Sequence, residues 1–407
     1  MKIFQLLLAI VISSSYCGQT FTNYTTSDGL IDNNVLCGAV GDSGVIWFGT
    51  QNGISKFDGN IWTNFNKNSH PGLVDNTITA IQTISSGDIW VGTDFGVCKY
   101  SGSNWSCFTT SDGLGDNRVK YIKEAPNGDI WIGEYDGLTI FDGSSWTSYN
   151  TSDGLPFGGI QFITFDNSSD SWMGSGFGGL IKFDGSNFII INSNNNLINN
   201  VVNGIAIDNL NKKWVGTSAG ISIFNNDDNW INNFTKMYLL PPPDTLNPVM
   251  ALEFDSKDLL WAGIYVDYLL DGGVAMYNGY CWVDFNVNDG LIGPVITDLI
   301  IDELDQVWIT TSSGISKLTN VPANINIIST ETISIYPNPN NGEFIIKNQS
   351  LEEFELKIKN INNQLIEQHS INNKTTNINL DAPNGIYILE VKNKENQIIN
   401  KKFIKNI

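Results

Sequence analysis

Ile89-Trp90-Val91-Gly92-Thr93, then Val97-Cys98-Lys99-Tyr100, then Asp112-Gly113-Leu114: this order of segments returns along residues 21–318. Each copy reads as an apolar segment, a Gly/Asp turn, Ile-Trp-x-Gly-Thr, a Gly-led apolar segment, Asp-Gly-x-x-Trp and a Ser-Asp-Gly-Leu linker. The marker tryptophans are Trp47, Trp90, Trp131, Trp172, Trp214, Trp261 and Trp308, spaced 43, 41, 41, 42, 47 and 47 residues apart. Gly and Asn recur every few residues and apolar positions alternate, which speaks for short strands and against helix. Copies of this length accommodate four strands each. Such a sheet buries its faces only by stacking on its neighbours, so the pattern predicts an all-β, seven-bladed β-propeller.

A second aromatic marks the outer strand: Trp62, Trp105, Trp146, Phe188, Trp230 and Trp282. The seventh copy lacks one after Leu318. Yet Phe21-Thr22-Asn23-Tyr24-Thr25-Thr26-Ser27-Asp28-Gly29-Leu30 aligns with Trp146-Thr147-Ser148-Tyr149-Asn150-Thr151-Ser152-Asp153-Gly154-Leu155. The first strand is therefore expected to complete blade seven and remove an open edge.

With these residues in place, the repeat resembles the two-component-regulator propeller family of Bacteroidetes, whose members sense glycans in the periplasm. The resemblance covers about 300 residues. This chain departs from those sensors in having neither a transmembrane stretch nor a kinase. Past a linker at 321–332, Ile335-Tyr336-Pro337-Asn338-Pro339-Asn340-Asn341-Gly342 and the later Gly385-Ile386-Tyr387 resemble the type A C-terminal sorting domain of the type IX secretion system. That resemblance implies a small immunoglobulin-like β-sandwich over 333–407, contact with the secretion machinery, and passage through the periplasm and outer membrane. One departure is Asn362-Asn363-Gln364, where the family often has a glycine turn.

Residues 1–18 have a signal-peptide layout, with Lys2, an apolar run Ile3–Ile12 and small residues before Cys17. Bulky Tyr16 argues against lipid attachment at Cys17. The propeller is then expected over 19–320, in a secreted or surface-displayed protein.

The formal net charge is −20, all of it in residues 1–328, which hold 13 basic and 33 acidic residues; residues 329–407 hold nine of each. Arg118 is the only arginine. So acidic a surface suits neither nucleic acid nor anionic polysaccharide. Cys98 and Cys107 are expected to stand opposite one another if Tyr100 pairs with Trp105, which makes them a candidate disulfide in an oxidising compartment. Cys37 and Cys281 fall at unrelated blade positions and are expected to be free.

Propeller loops joining second to third strands, and fourth strands to the next blade, share one face. Two insertions, 235–248 and 264–272, fall there. The second contains Tyr265, Asp267 and Tyr268. The short loops of blades two to four add Phe95, Tyr135 and Phe177 beside Asp94, Glu134 and Asp136. Aromatic faces with flanking carboxylates suit a neutral glycan or a peptide, since rings stack on apolar surfaces and acids accept hydroxyl hydrogens. These nine residues are the candidate ligand site.

No catalytic residue is assigned. His70 is the only histidine before the tail, and neither a Gly-x-Ser-x-Gly elbow nor metal-ligand spacing occurs. A glycan lyase or hydrolase using Glu134 with Asp94 or Asp136 is the alternative. An adhesin or scaffold without a small ligand is the third reading. The recurrent Asp28, Asp112, Asp153 and Asp289, and the Asp-Gly pairs at Asp58, Asp142 and Asp184, read as turn residues. Calcium is the one cofactor these acids leave open.

Overall fold

In a computed structural model, the structure describes residues 19–235, 248–265, 272–279, 282–320, 333–336, 341–348, 354–360, 364–371, 373–393 and 398–405. The chain divides into two compact units, 1–322 and 323–407. Residues 1–18 and most of the two insertions lie outside the described residues, as does Cys281. Among the described residues, no helix is long and apolar enough to cross a membrane.

The first unit is a ring of seven four-stranded antiparallel sheets. Blades one to six span residues 35–65, 80–108, 119–149, 160–191, 202–234 and 249–285. Blade three shows the pattern. Its strands, from the channel to the rim, are Val119–Glu124, Ile130–Glu134, Leu138–Phe141 and Trp146–Tyr149. The second strand of every blade is wholly buried, which accounts for its apolar run around the tryptophan. All seven marker tryptophans are buried, and each fills the gap between its own sheet and the next. Trp90, for example, packs on Phe108 of its own blade and on Phe141 and Trp146 of blade three.

Blade seven closes the ring as the repeat alignment requires. Strands Ile296–Ile301, Val307–Thr311 and Gly314–Thr319 are completed by Thr20–Tyr24 at the rim. The register pairs Phe21 with Leu318 and Tyr24 with Ile315. Tyr24 stacks on Trp308 with ring centroids 5.8 Å apart and also meets Phe57 and Trp62 of blade one, sealing the seam between last and first blades.

The linker aspartates act as turn residues. The carboxylates of Asp28, Asp112, Asp153 and Asp289 each accept the backbone N–H three residues upstream. At the Asp-Gly pairs, Asp58, Asp142 and Asp184 accept two backbone N–H groups apiece. Cys98 stands opposite Cys107 and Tyr100 opposite Trp105, and the two cysteines are joined as a disulfide. Cys37 is buried and free.

The second unit has a three-stranded sheet, Ile333–Tyr336, Glu343–Asn348 and Thr375–Asn379. Its four-stranded sheet runs in the order Leu365–Ile371, Phe354–Asn360, Gly385–Asn393 and Ile398–Lys405. Phe344, Ile346 and Ile378 from one sheet share a core with Leu356, Ile358, Tyr387 and Leu389 from the other. That shared core makes the unit a small sandwich. Residues 337–339 of the Tyr-Pro-Asn-Pro motif lie outside the described residues, whereas Tyr387 is a core residue.

Candidate functional site

The connections that open each innermost strand explain how a binding face arises. Linkers one, three and five place Asp32, Asp116 and Asn199 so that a side-chain oxygen accepts the backbone N–H two residues on. The blade three-to-four linker breaks this rule with Pro156-Phe157-Gly158-Gly159. Gly158 and Gly159 take φ of 111° and 61°, in the region that favours glycine. A Cβ on Gly159 would lie 2.3 Å from the carbonyl oxygens of Glu134 and Tyr135. The two glycines thus press this linker onto the neighbouring loops and leave Phe157 outside, where a turn-forming side chain would have sat.

Four rings result on consecutive loops of one face: Phe95, Tyr135, Phe157 and Phe177, exposed by 61, 50, 71 and 65 %. Phe157 lies nearly parallel to Phe177 at 6.2 Å. The Arg118 guanidinium stacks on Tyr135 at 3.9 Å and is held by Asp116 at 2.6 Å. Burial raises the Asp116 carboxyl, but the hydrogen bonds from Arg118 outweigh it and leave the group below its ordinary value. Lys120 pairs with Asp94 at 3.3 Å, and Asp136 is exposed. The face therefore combines exposed rings, one of them covered by a guanidinium, with two ion pairs and the exposed Asp136.

Glu134 corrects the expectation of a ligand-facing carboxylate. It is 1 % exposed, because its side chain turns under the linker. One carboxylate oxygen accepts the Asp116 N–H at 3.0 Å; among the described residues the other has no partner. Burial pushes its pKa to about 8, against the lowering effect of hydrogen bonds from Thr139, Asp116 and Gly115. At the same position Thr50, Thr93, Thr217 and Thr311 bond back to a glycine carbonyl across the loop. Glu134 abandons that bond, so it is a departure from the repeat in its own right.

Tyr265 is half-buried, its N–H bound to the Pro248 carbonyl at 3.0 Å. Asp267 and Tyr268 lie outside the described residues. The structure thus brings Phe95, Tyr135 and Phe177 onto one face with Asp94 and Asp136. Sequence reasoning missed Phe157 and the stacking role of Arg118. The signal for Phe157 was present as the loss of the Asp or Asn that four other linkers carry, at Asp32, Asp75, Asp116 and Asn199. Among the described residues, no group of three acidic, His or Cys side chains could hold a metal ion.

Comparison with known proteins separates the two units. Residues 334–406 match the family model described as the secretion system C-terminal sorting domain. The tail is a type IX secretion sorting domain. It directs the protein to export at the outer-membrane surface. The ring is similar in fold to the extracellular domain of a putative hybrid two-component system of B. thetaiotaomicron (TM-score 0.66, 19 % identity, 95 % of this chain and 57 % of that one). It is also similar to PorZ, a surface component of the type IX secretion system of Porphyromonas gingivalis (0.58, 17 %, 93 % and 60 %). Virginiamycin B lyase of Staphylococcus aureus, solved as an inactive variant with quinupristin, is a third (0.58, 16 %, 74 % and 99 %). The chain spans less than two thirds of the first two. At these identities the likeness is one of fold. No curated protein matches this chain in sequence.

Proposed function

We propose that the protein is a surface-exported binding propeller that takes a neutral glycan or a peptide on the loop face of blades two to four. One observation carries the reading: four exposed rings occupy loops of one face, two of them, Phe157 and Phe177, in contact, where the repeat elsewhere uses small or polar turn residues. Solvent-exposed aromatic clusters lose free energy unless a partner covers them, and their faces suit the apolar side of a sugar ring or an aliphatic side chain. Asp94 and Asp136 beside them supply hydroxyl or amide acceptors. The extracellular domains of similar fold agree with a recognition role outside the cell. The lyases of similar fold raise catalysis, but here the acid that a cleaving reaction would need, Glu134, is sealed beneath the linker. The geometry therefore favours retention of a ligand over turnover.

Glycan and peptide arrays probed with the full-length exported protein test this. Retention of an intact ligand, weakened at least fivefold by Tyr135→Ala, Phe157→Ala or Phe177→Ala, is the expected result. Retention indifferent to all three substitutions would remove this face. New reducing ends or unsaturated products would convert the reading to an enzyme, and a protein partner without either would mark a scaffold.

A further inference from the structure

The rim of the ring carries seven outer strands, each with one edge open. Native sheets blunt such edges with polar or charged side chains and with bulges, because an apolar open edge pairs with another strand. Six of the seven are blunted at the position two residues after the rim aromatic, or by a bulge. In blades one, three and seven that position is Asn64, Ser148 or Asn23, and its side chain donates to the carbonyl of Gly29, Gly113 or Gly290 in the preceding linker, at 3.0, 3.3 and 3.0 Å. Blade two has the disulfide-bonded Cys107 beside Ser106, and blade six has the charged Asp284. Blade five is bulged at Ile231, which breaks its ladder.

Blade four has none of these. Its outer strand, Phe188–Ile191, reads Phe-Ile-Ile-Ile. Ile190 stands at the blunting position and has no donor to give the linker. Ile189 is 48 % exposed. The strand is the last of its sheet and pairs only with Leu180–Phe183. The turn before it decides which backbone groups stay open. The Asp184 N–H reaches the Asn187 carbonyl at 3.2 Å. Bonded pairs alternate along an antiparallel ladder, so Ile189 bonds inward to Lys182 and Ile191 to Leu180. Phe188 and Ile190 therefore turn their N–H and C=O groups outward.

Charge decides what can lie there. The chain has a net charge of −20, yet residues 185–207 contain no charged side chain. The nearest lysine on the strand's own hairpin, Lys182, is already held by Asp170 and Asp228 at 2.6 and 2.7 Å. Two copies of so acidic a ring repel one another on most approaches, and this edge is the approach without that cost. The edge also matches itself. Antiparallel pairing of Phe188 with Ile190 of a second copy joins only outward-facing backbone groups and sets the two Ile189 side chains opposite each other on a two-fold axis. We infer that the outer strand of blade four is a homotypic docking edge, to which a second copy of this chain adds its own Phe188–Ile191 antiparallel, making one continuous sheet of the two blades. This surface lies on the rim and does not depend on the loop-face reading.

So short a shared strand makes a weak, concentration-dependent contact. Sedimentation velocity of the full-length exported protein from about 1 to about 500 µM therefore tests it. A monomer–dimer equilibrium is expected within that range. Ile189→Lys places like charges opposite each other on the axis and should weaken dimerisation at least tenfold. Ile190→Asn, which supplies the donor that blade one has in Asn64, should weaken it as well. Ile231→Lys, on the bulged neighbour and matched in exposure at 44 %, should leave it unchanged. A second readout needs no loss of affinity. Residues facing each other at a non-bonded pair lie within disulfide reach, so Ile189→Cys should give a covalent dimer on mild oxidation, and neither the unmodified protein nor Ile231→Cys should. A dimer indifferent to Ile189→Lys overturns the proposal. So does a protein that stays monomeric throughout; if that monomer binds a synthetic Val-Thr repeat peptide at the same edge, the edge belongs to a foreign strand instead.

Discussion

Blades one to three and blades four to seven bury the same tryptophan in different ways. In the last four, the residue six places before it is aspartate: Asp166, Asp208, Asp255 and Asp302. One carboxylate oxygen caps the turn between the first two strands by accepting the backbone N–H groups two and four residues on. The other accepts the indole N–H of Trp172, Trp214, Trp261 or Trp308, at 3.1, 3.1, 3.3 and 2.8 Å. In the first three blades that residue is Gly41, Ile84 or Ala125. There the indole relies on packing, and among the described residues the buried N–H of Trp90 has no acceptor. Two solutions therefore coexist in one ring. One spends an apolar position on a polar lock. The other keeps the apolar contact and leaves a donor unsatisfied, at a cost of about 1–3 kcal/mol where it is fully buried.

The largest test of this contrast sits at the slot just before the tryptophan. Ile46, Ile89, Ile130, Leu260 and Val307 fill it with hydrocarbon, but blade five has Lys213, 1 % exposed. Its ammonium bonds Asp228 at 2.9 Å and Asp166 at 3.2 Å, tying the blade-four lock to blade five. Removing one partner of a buried ion pair strands the others, so Lys213→Met should destabilise by about 3–5 kcal/mol. Ile130→Met, at the same slot in blade three, should cost less than about 1.5 kcal/mol. Urea-unfolding midpoints measure both. Equal losses would mean that the lysine serves only as filler.

Glu134 lies beneath the proposed binding face and carries a pH dependence. Its folded pKa, about 8, lies above the ordinary 4.5. Between those values the folded state binds more protons than the unfolded chain, so stability is greatest below about 4.5 and declines as pH rises to 8. Asp298, raised to about 7 from 3.8, has the same sign over its own window. Glu134→Thr restores the residue the repeat prefers. It should remove its share of the decline, worth up to a few kcal/mol by pH 9, and leave the Asp298 share. Melting temperatures of the two proteins should converge at pH 4.5 and separate toward pH 9. Parallel curves would place the charge cost elsewhere.

A lock can also be removed. Asp255→Ala takes acceptors from Trp261 and from the N–H groups of Lys257 and Leu259 at once. A loss of about 2 kcal/mol is expected, read from the same urea midpoints. A value near zero would demote the lock to a by-product of turn formation.

These contrasts also explain what the sequence could show. Ring size and closure were legible because Trp spacing and the Phe21–Leu30 alignment are repeated signals, and repetition averages out local noise. Cys98 facing Cys107 was legible because strand register follows from a short turn. Phe157, Glu134 and Lys213 are single departures from the repeat, visible only once the repeat is laid out blade by blade. Asp267 and Tyr268 belong to insertions that no repeat constrains.

The smallest effect is a gain, and it asks whether a lock can be transplanted. The turn at Ala125 has the backbone of the turn at Asp166: the first N–H reaches the fifth residue's carbonyl and the fourth N–H returns to the first, at 2.8 and 2.8 Å against 3.0 and 2.8 Å. The left-handed fourth residue is Gly128 in one and Ser169 in the other. Ala125→Asp should therefore cap the turn and offer Trp131 the acceptor that Trp172 already has. One added hydrogen bond to a charged group is worth about 1 kcal/mol net after desolvation, or about 2 °C in melting temperature for a unit of this size. The double variant with Trp131→Phe separates the two contributions, because phenylalanine has no N–H to give. If most of the gain survives in that background, the aspartate acts on the turn alone. If the gain disappears, indole and carboxylate are coupled, and blades one to three are simply propeller blades in which that bond was never made.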